Sequence, residues 1–97
     1  MVNNMLYAKY VYENYGYEID RENCREHLTL GEMYEVGVVN MGGCYTDIEL
    51  IGYPCMFNSV NFVFFKKNED GDYIEHDIFS DPDCNPYLRG VKWGINL

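Results

Sequence analysis

Seven carboxylates fall within fifteen residues of this chain: Glu69, Asp70, Asp72, Glu75, Asp77, Asp81 and Asp83. Three kinds of chemistry use carboxylates at that density. Calcium binding needs oxygen ligands at fixed steps, and Asn68-Glu69-Asp70-Gly71-Asp72 is too short and lacks the downstream glutamate of a calcium loop. Paired carboxylates for glycoside chemistry need a cleft and a substrate, and nothing in the sequence indicates either. A negative face that docks onto a basic groove, or imitates nucleic-acid phosphates, needs only carboxylates projecting in a row, which alternation along a hairpin supplies. The plain alternative is a solvated acidic surface.

Sulfur and imidazole offer less. Cys24-Arg25-Glu26-His27 has the Cys-x2-His spacing of half a zinc knuckle, with Cys44, Cys55, His76 and Cys84 as conceivable completions, but no second Cys-x2-Cys or His-x3-His pair exists. No metal and no cofactor is expected. No elbow or local signature surrounds a cysteine or serine, so no nucleophile is assigned and the chain is read as a non-enzyme. There is no glycine-rich phosphate loop; Gly42-Gly43 reads as a turn. The bases Arg89 and Lys92 lie in a tail without acids and could contact an anionic ligand, although two charges are a weak signal. Tyrosines are dense near the start: Tyr7, Tyr10, Tyr12, Tyr15 and Tyr17. Tyr10 and Tyr12 would share one strand face and serve as aromatic anchors beside the acids, or pack into the domain.

Ninety-seven residues make a single domain, 1–97, with 47% apolar and 16% aromatic residues for its core. The net charge of −9, from sixteen acids against seven bases, argues against direct nucleic-acid binding, which needs a basic footprint. No apolar run approaches the roughly 18 residues of a membrane span. No hydrophobic segment follows Met1, so a cytoplasmic location with free thiols is expected.

The elements that must position these residues are short and β-prone. Met5–Tyr12 reads as a first strand, an edge strand with Lys9 on its polar side. Asp20–His27 is polar, either a short helical turn N-capped by Asp20 or a loop. Met33–Asn40 and Tyr45–Ile51 flank Gly42-Gly43 as a hairpin, with Ile48 and Leu50 facing one way and Asp47 and Glu49 the other. Asn61–Lys67 has apolar residues on both faces. Asn68-Glu69-Asp70-Gly71 turns it into a return strand, Tyr73–Phe79. An irregular loop, Ser80–Pro86, leads to a last alternating segment around Val91, Trp93 and Ile95. Six short strands predict an all-β or β-rich fold, a small barrel or strongly bent antiparallel sheet with an extra acidic hairpin.

Leu28-Thr29-Leu30-Gly31-Glu32-Met33-Tyr34-Glu35-Val36 resembles the opening of small Src-homology-3-like barrel proteins of Firmicutes and their phages. Met41-Gly42-Gly43, Thr46-Asp47-Ile48-Glu49-Leu50 and Phe57-Asn58-Ser59-Val60-Asn61-Phe62 look like the turn, middle strand and closing strand of such proteins. The resemblance implies a Src-homology-3-like barrel and a phage or mobile-element origin, and it transfers no active site. Small acidic phage proteins often act by occupying a host protein, so the expectation is a phage-encoded interaction protein that binds and inhibits a host protein with a basic surface, for example an anti-phage defence component. The residues expected to carry binding are Glu69, Asp70, Asp72, Glu75 and Asp77, with Tyr10 and Tyr12. The alternative is a homo-oligomer sequestering a nucleotide or signal metabolite through Arg89, Lys92 and stacked tyrosines.

Overall fold

The computed structural model describes residues 5–42 and 44–88. Six strands form one antiparallel ladder: β1 (Leu6–Tyr10), β2 (Met33–Met41), β3 (Thr46–Leu50), β4 (Met56–Asn58), β5 (Phe62–Lys67) and β6 (Tyr73–Glu75), in the order β4-β3-β2-β1-β5-β6. A ten-residue helix, α1 (Glu18–His27), lies between β1 and β2 in the chain and packs on β4. Two 3-10 turns follow β4 and β6, at Ser59–Asn61 and Ile78–Ser80. The β-rich antiparallel expectation holds. The ladder bends at a bulge in β2, where pairing jumps from Val36↔Leu50 to Val38↔Glu49 and leaves Gly37 as the extra residue.

The core follows the period of the strands. Ala8 and Tyr10 of β1, Ile48 and Leu50 of β3, and Phe62 and Phe64 of β5 are buried, while Glu49 is exposed. Phe57, Leu28, Cys24 and Ile78 complete the cluster. Aromatic rings run through it edge to face, from Tyr34 to Tyr53 to Phe57 to Phe62, with centroids 5.6, 6.3 and 6.2 Å apart in turn. Each buried large side chain contributes roughly 1.5–3 kcal/mol by leaving water.

Four expectations need correction. First, β1 lies in the middle of the sheet, paired to β2 and β5, because its apolar face is needed at the centre of the core. Second, β1 stops at Tyr10, so Tyr10 and Tyr12 do not share a strand face. Third, β6 stops at Glu75, since the Asp77 carboxylate accepts the Phe79 N–H at 2.9 Å and turns the chain into the 3-10 turn. Fourth, α1 begins two residues before Asp20. Its Tyr17 N-cap donates its N–H to the Asp20 carboxylate at 2.9 Å, so Asp20 closes the first turn from inside the helix. The segment around Val91, Trp93 and Ile95 lies outside the described residues.

One buried side chain ties the loop after β1 to the sheet. Asn61 is fully buried. Its Nδ2 donates to the carbonyls of Tyr12 (2.7 Å) and Tyr15 (2.9 Å). Its own carbonyl accepts the N–H groups of Val11 and Tyr12, both at 3.1 Å. Replacing Asn61 by Ala takes the donor from the Tyr15 carbonyl, leaves the Tyr12 carbonyl only the long bond from the Tyr15 N–H at 3.5 Å, and opens a small void. The Asn61→Ala variant is expected to lose about 2 kcal/mol of stability in urea unfolding, which lowers Tm by roughly 10 °C for a domain of this size.

Candidate functional site

Three open grooves meet at the 3-10 turn Ser59–Asn61, and all three include Val60. The turn is set by Asn58, whose Oδ1 accepts the Val60 N–H at 3.2 Å while its Nδ2 donates to Asp20 of α1 at 3.0 Å. Val60 is thereby held outward, 43% exposed. The largest groove, about 700 Å³, has buried Phe62, Phe64 and Ile78 within it and is bordered by Tyr12, Phe79 and the segment Glu75–Asp77. A second, about 430 Å³, runs between Tyr15, Tyr17 and Tyr45. The third, about 260 Å³, joins Tyr45 to Phe79.

The surface around this turn is aromatic. Tyr12 and Tyr15 stack with their centroids 4.7 Å apart and their planes 5° from parallel. Tyr17 and Tyr45 are also exposed, and so is Phe79. These exposed rings come together around one turn, where most single exposed apolar residues on a small domain are scattered. Val60, Tyr45 and Phe79 were not legible as site residues. They come from three separate segments, and only the ladder order brings them together.

The expected anchors separate. Tyr12 borders the large groove, 40% exposed, whereas Tyr10 is 2% exposed and packs against Phe62 at 5.9 Å between centroids. Tyr10 is therefore a core residue, and its assignment as a surface anchor is withdrawn. Glu69, Asp70 and Asp72 sit exposed at the β5–β6 turn, where Asn68 Oδ1 accepts the N–H groups of Asp70 and Asp72 and Gly71 takes φ +88°. Glu75 is exposed on β6. Asp77 is exposed too, but its carboxylate is engaged by the Ser80 hydroxyl at 2.8 Å and the Phe79 N–H, and these bonds hold its pKa below the ordinary carboxylate value. Arg89 and Lys92 lie outside the described residues.

Asp81, read from the sequence as one more outward carboxylate, is 9% exposed. Its Oδ2 meets His76 Nε2 at 2.7 Å and Lys66 Nζ at 3.3 Å, and its Oδ1 accepts the Asp83 N–H at 2.9 Å. Burial alone pushes this carboxyl up. The Asp83 N–H, the His76 ring and the Lys66 ammonium outweigh it and bring the pKa down to about 2. The group thus joins the last described segment to β5 and β6.

The four thiols differ in burial: Cys24 is buried, Cys55 and Cys84 are half-buried and Cys44 is exposed. Cys24 is fully buried in the core, which pushes its pKa up to about 12, and burial raises Cys84 to about 11. Among the described residues no three His, Cys, Asp or Glu side chains converge to hold a metal ion. His27 instead meets the Phe57 ring edge-on at 6.3 Å. Among the described residues no helix is long and apolar enough to cross a membrane.

The fold and this surface describe a small β-rich domain with an aromatic face and an acidic hairpin. The chain belongs to the family described as bacteriophage T4 protein Y07B, whose model matches residues 5–90. It is 32% identical over 95 residues to the uncharacterised 11.2 kDa protein in the segB-ipI intergenic region of Enterobacteria phage T4, a match covering 92% of this chain and 99% of that protein. No solved structure matches the chain. The phage side of the resemblance is thus borne out, while the Firmicutes origin and the Src-homology-3-like barrel are finer than these matches reach.

Two outcomes follow from the titrating groups. The Asp81 carboxyl has a folded pKa of about 2 against an ordinary 3.8, so its stabilisation is complete above about pH 4 and is lost as pH falls toward 2. Its size is about 2 kcal/mol. Acid unfolding followed by tyrosine fluorescence should show this loss, and Asp81→Asn should remove the pH-dependent step while lowering stability at neutral pH. In the folded protein at about pH 8, a thiol-disulfide reagent should modify exposed Cys44 first and Cys24 only on unfolding.

Proposed function

We propose that this protein is a non-enzymatic, phage-encoded interaction protein that binds a host protein through a basic surface and blocks it in the host cytoplasm, a component of an anti-phage defence being the kind of target that fits. The observation that carries this reading is the large groove. It combines an apolar interior with an exposed tyrosine and the acidic segment Glu75–Asp77 on its border. Tyrosine supplies contact area at low entropic cost and is frequent among the residues that dominate binding energy. The exposed carboxylates Glu69, Asp70, Asp72 and Glu75, on a chain of net charge −9, favour fast encounter with a basic partner. Membership of a phage protein family supports the origin. The bulge in β2 supports the finer fold reading, a Src-homology-3-like barrel, by bending the ladder at its middle.

Affinity capture from a host lysate tests the proposal when variants accompany the wild type. Tyr12→Ala and Glu75→Lys each remove a border residue of the groove without touching the core. The expected result is a host protein whose binding weakens with added salt and falls by about tenfold or more in each variant. Capture unchanged in both variants contradicts the proposal.

A further inference from the structure

We propose that the free edge of β6 takes an extended, lysine- or arginine-bearing segment of the partner as an added antiparallel or parallel strand, an inference that rests on the protein-docking reading above. The hydrogen-bond register of the hairpin carries it. His76 N–H donates to Phe64 O at 2.8 Å and Asn68 N–H donates to Asp72 O at 2.9 Å. The pairs between them are Phe65↔Glu75, Lys66↔Ile74 and Lys67↔Tyr73. Bonded and non-bonded pairs alternate along an antiparallel ladder. The 64/76 and 68/72 pairs are bonded, so the Lys66↔Ile74 pair between them is bonded as well. Tyr73 and Glu75 therefore belong to non-bonded pairs, and their N–H and C=O groups point away from β5. Among the described residues no strand pairs with that side of β6.

Such an edge invites another strand unless charge forbids it. The charge here selects the occupant. The hairpin from Lys67 to Asp77 carries Glu69, Asp70, Asp72, Glu75 and Asp77 against one base, and that base, Lys67, is held over the Tyr73 ring at 5.4 Å. A second copy of this chain added at β6 would bring its own carboxylates opposite these, which like-charge cross-strand pairing disfavours. A segment with lysine or arginine at alternate positions meets Glu75 and the turn acids with opposite charge. The edge continues into Glu75–Asp77 at the border of the large groove, so a strand added here leads directly to the aromatic surface. Backbone bonds then supply affinity and the alternate side chains supply selectivity.

The test is residue-resolved amide exchange by NMR on the full chain, with two synthetic probes: an alternating lysine–valine hexapeptide and its glutamate–valine counterpart. Alone, the Ile74 and His76 amides are expected to exchange slowly and those of Tyr73 and Glu75 quickly. Saturating lysine peptide is expected to slow Tyr73 and Glu75 by about tenfold or more, with the glutamate peptide giving no effect. Tyr73→Pro deletes an outward N–H at the first residue of an edge strand, where proline is tolerated. It should abolish that protection while Ile74 and His76 stay slow, which shows the hairpin is intact. Three results overturn strand addition: no slowing at Tyr73 and Glu75 with the lysine peptide, equal slowing by both peptides, or unchanged protection in Tyr73→Pro. Lysine-peptide shifts confined to Tyr12 and Phe79 would overturn strand addition while leaving the groove reading standing. Loss of host-protein capture in Tyr73→Pro and Glu75→Lys, with capture retained in Tyr12→Ala, would keep strand addition and set aside the aromatic groove.

Discussion

A buried amide holds the aromatic face in place. Asn61 uses one side-chain nitrogen and one backbone carbonyl to hold the segment from Val11 to Tyr15, a stretch with no strand or helix of its own. Burial makes these bonds exacting, because a carbonyl left without a donor inside a protein costs more than a typical bond gains. Asn61 Oδ1 finds no partner among the described residues, so the side chain is kept for the two bonds its nitrogen makes. The result is a fixed position for the stacked Tyr12 and Tyr15 above the groove. Asn58, three residues earlier, performs the matching task on the other side by linking α1 to the turn that displays Val60.

The acids divide into two groups with different physical roles. Asp20, Asp77 and Asp81 are engaged by N–H, hydroxyl, imidazole or ammonium donors and shape the backbone. Glu69, Asp70, Asp72 and Glu75 are exposed, and among the described residues their carboxylates have no hydrogen-bond or ion-pair partner, so their charge faces solvent. An engaged carboxylate loses much of its reach, because its field is compensated at short range. The outward field of the hairpin therefore belongs mainly to the turn and to β6. That asymmetry puts the negative surface beside the outer side of β6, where the Tyr73 and Glu75 backbone groups point away from β5.

Much of the fold was legible in the sequence. The alternation of Ile48 and Leu50 against Asp47 and Glu49 marked the face of β3 directly, and the Asn68–Gly71 turn marked the β5–β6 hairpin. β4 was not legible, because three residues are too few to show a period and Asn58 ends the strand with a cap. The central place of β1 was hidden as well: Leu6–Tyr10 carries no local mark of its two neighbours, which come from residues far along the chain. Of the candidate site, Tyr12, Glu75 and Asp77 were singled out and the structure gathers them on one groove. Tyr10 was misjudged because β1 ends before Tyr12, so the two rings part. Asp81 looked like its acidic neighbours, and only the fold brings Lys66 and His76 to it.

The account stands on Asn61 as the fixed point of the face, and heteronuclear NMR reads that directly from its side-chain amide. Held as described, the two Asn61 Nδ2 protons are resolved, exchange slowly with water and show cross-relaxation to Tyr12 and Tyr15. A side-chain amide exchanging as fast as those of exposed asparagines, without contacts to either tyrosine, would contradict it.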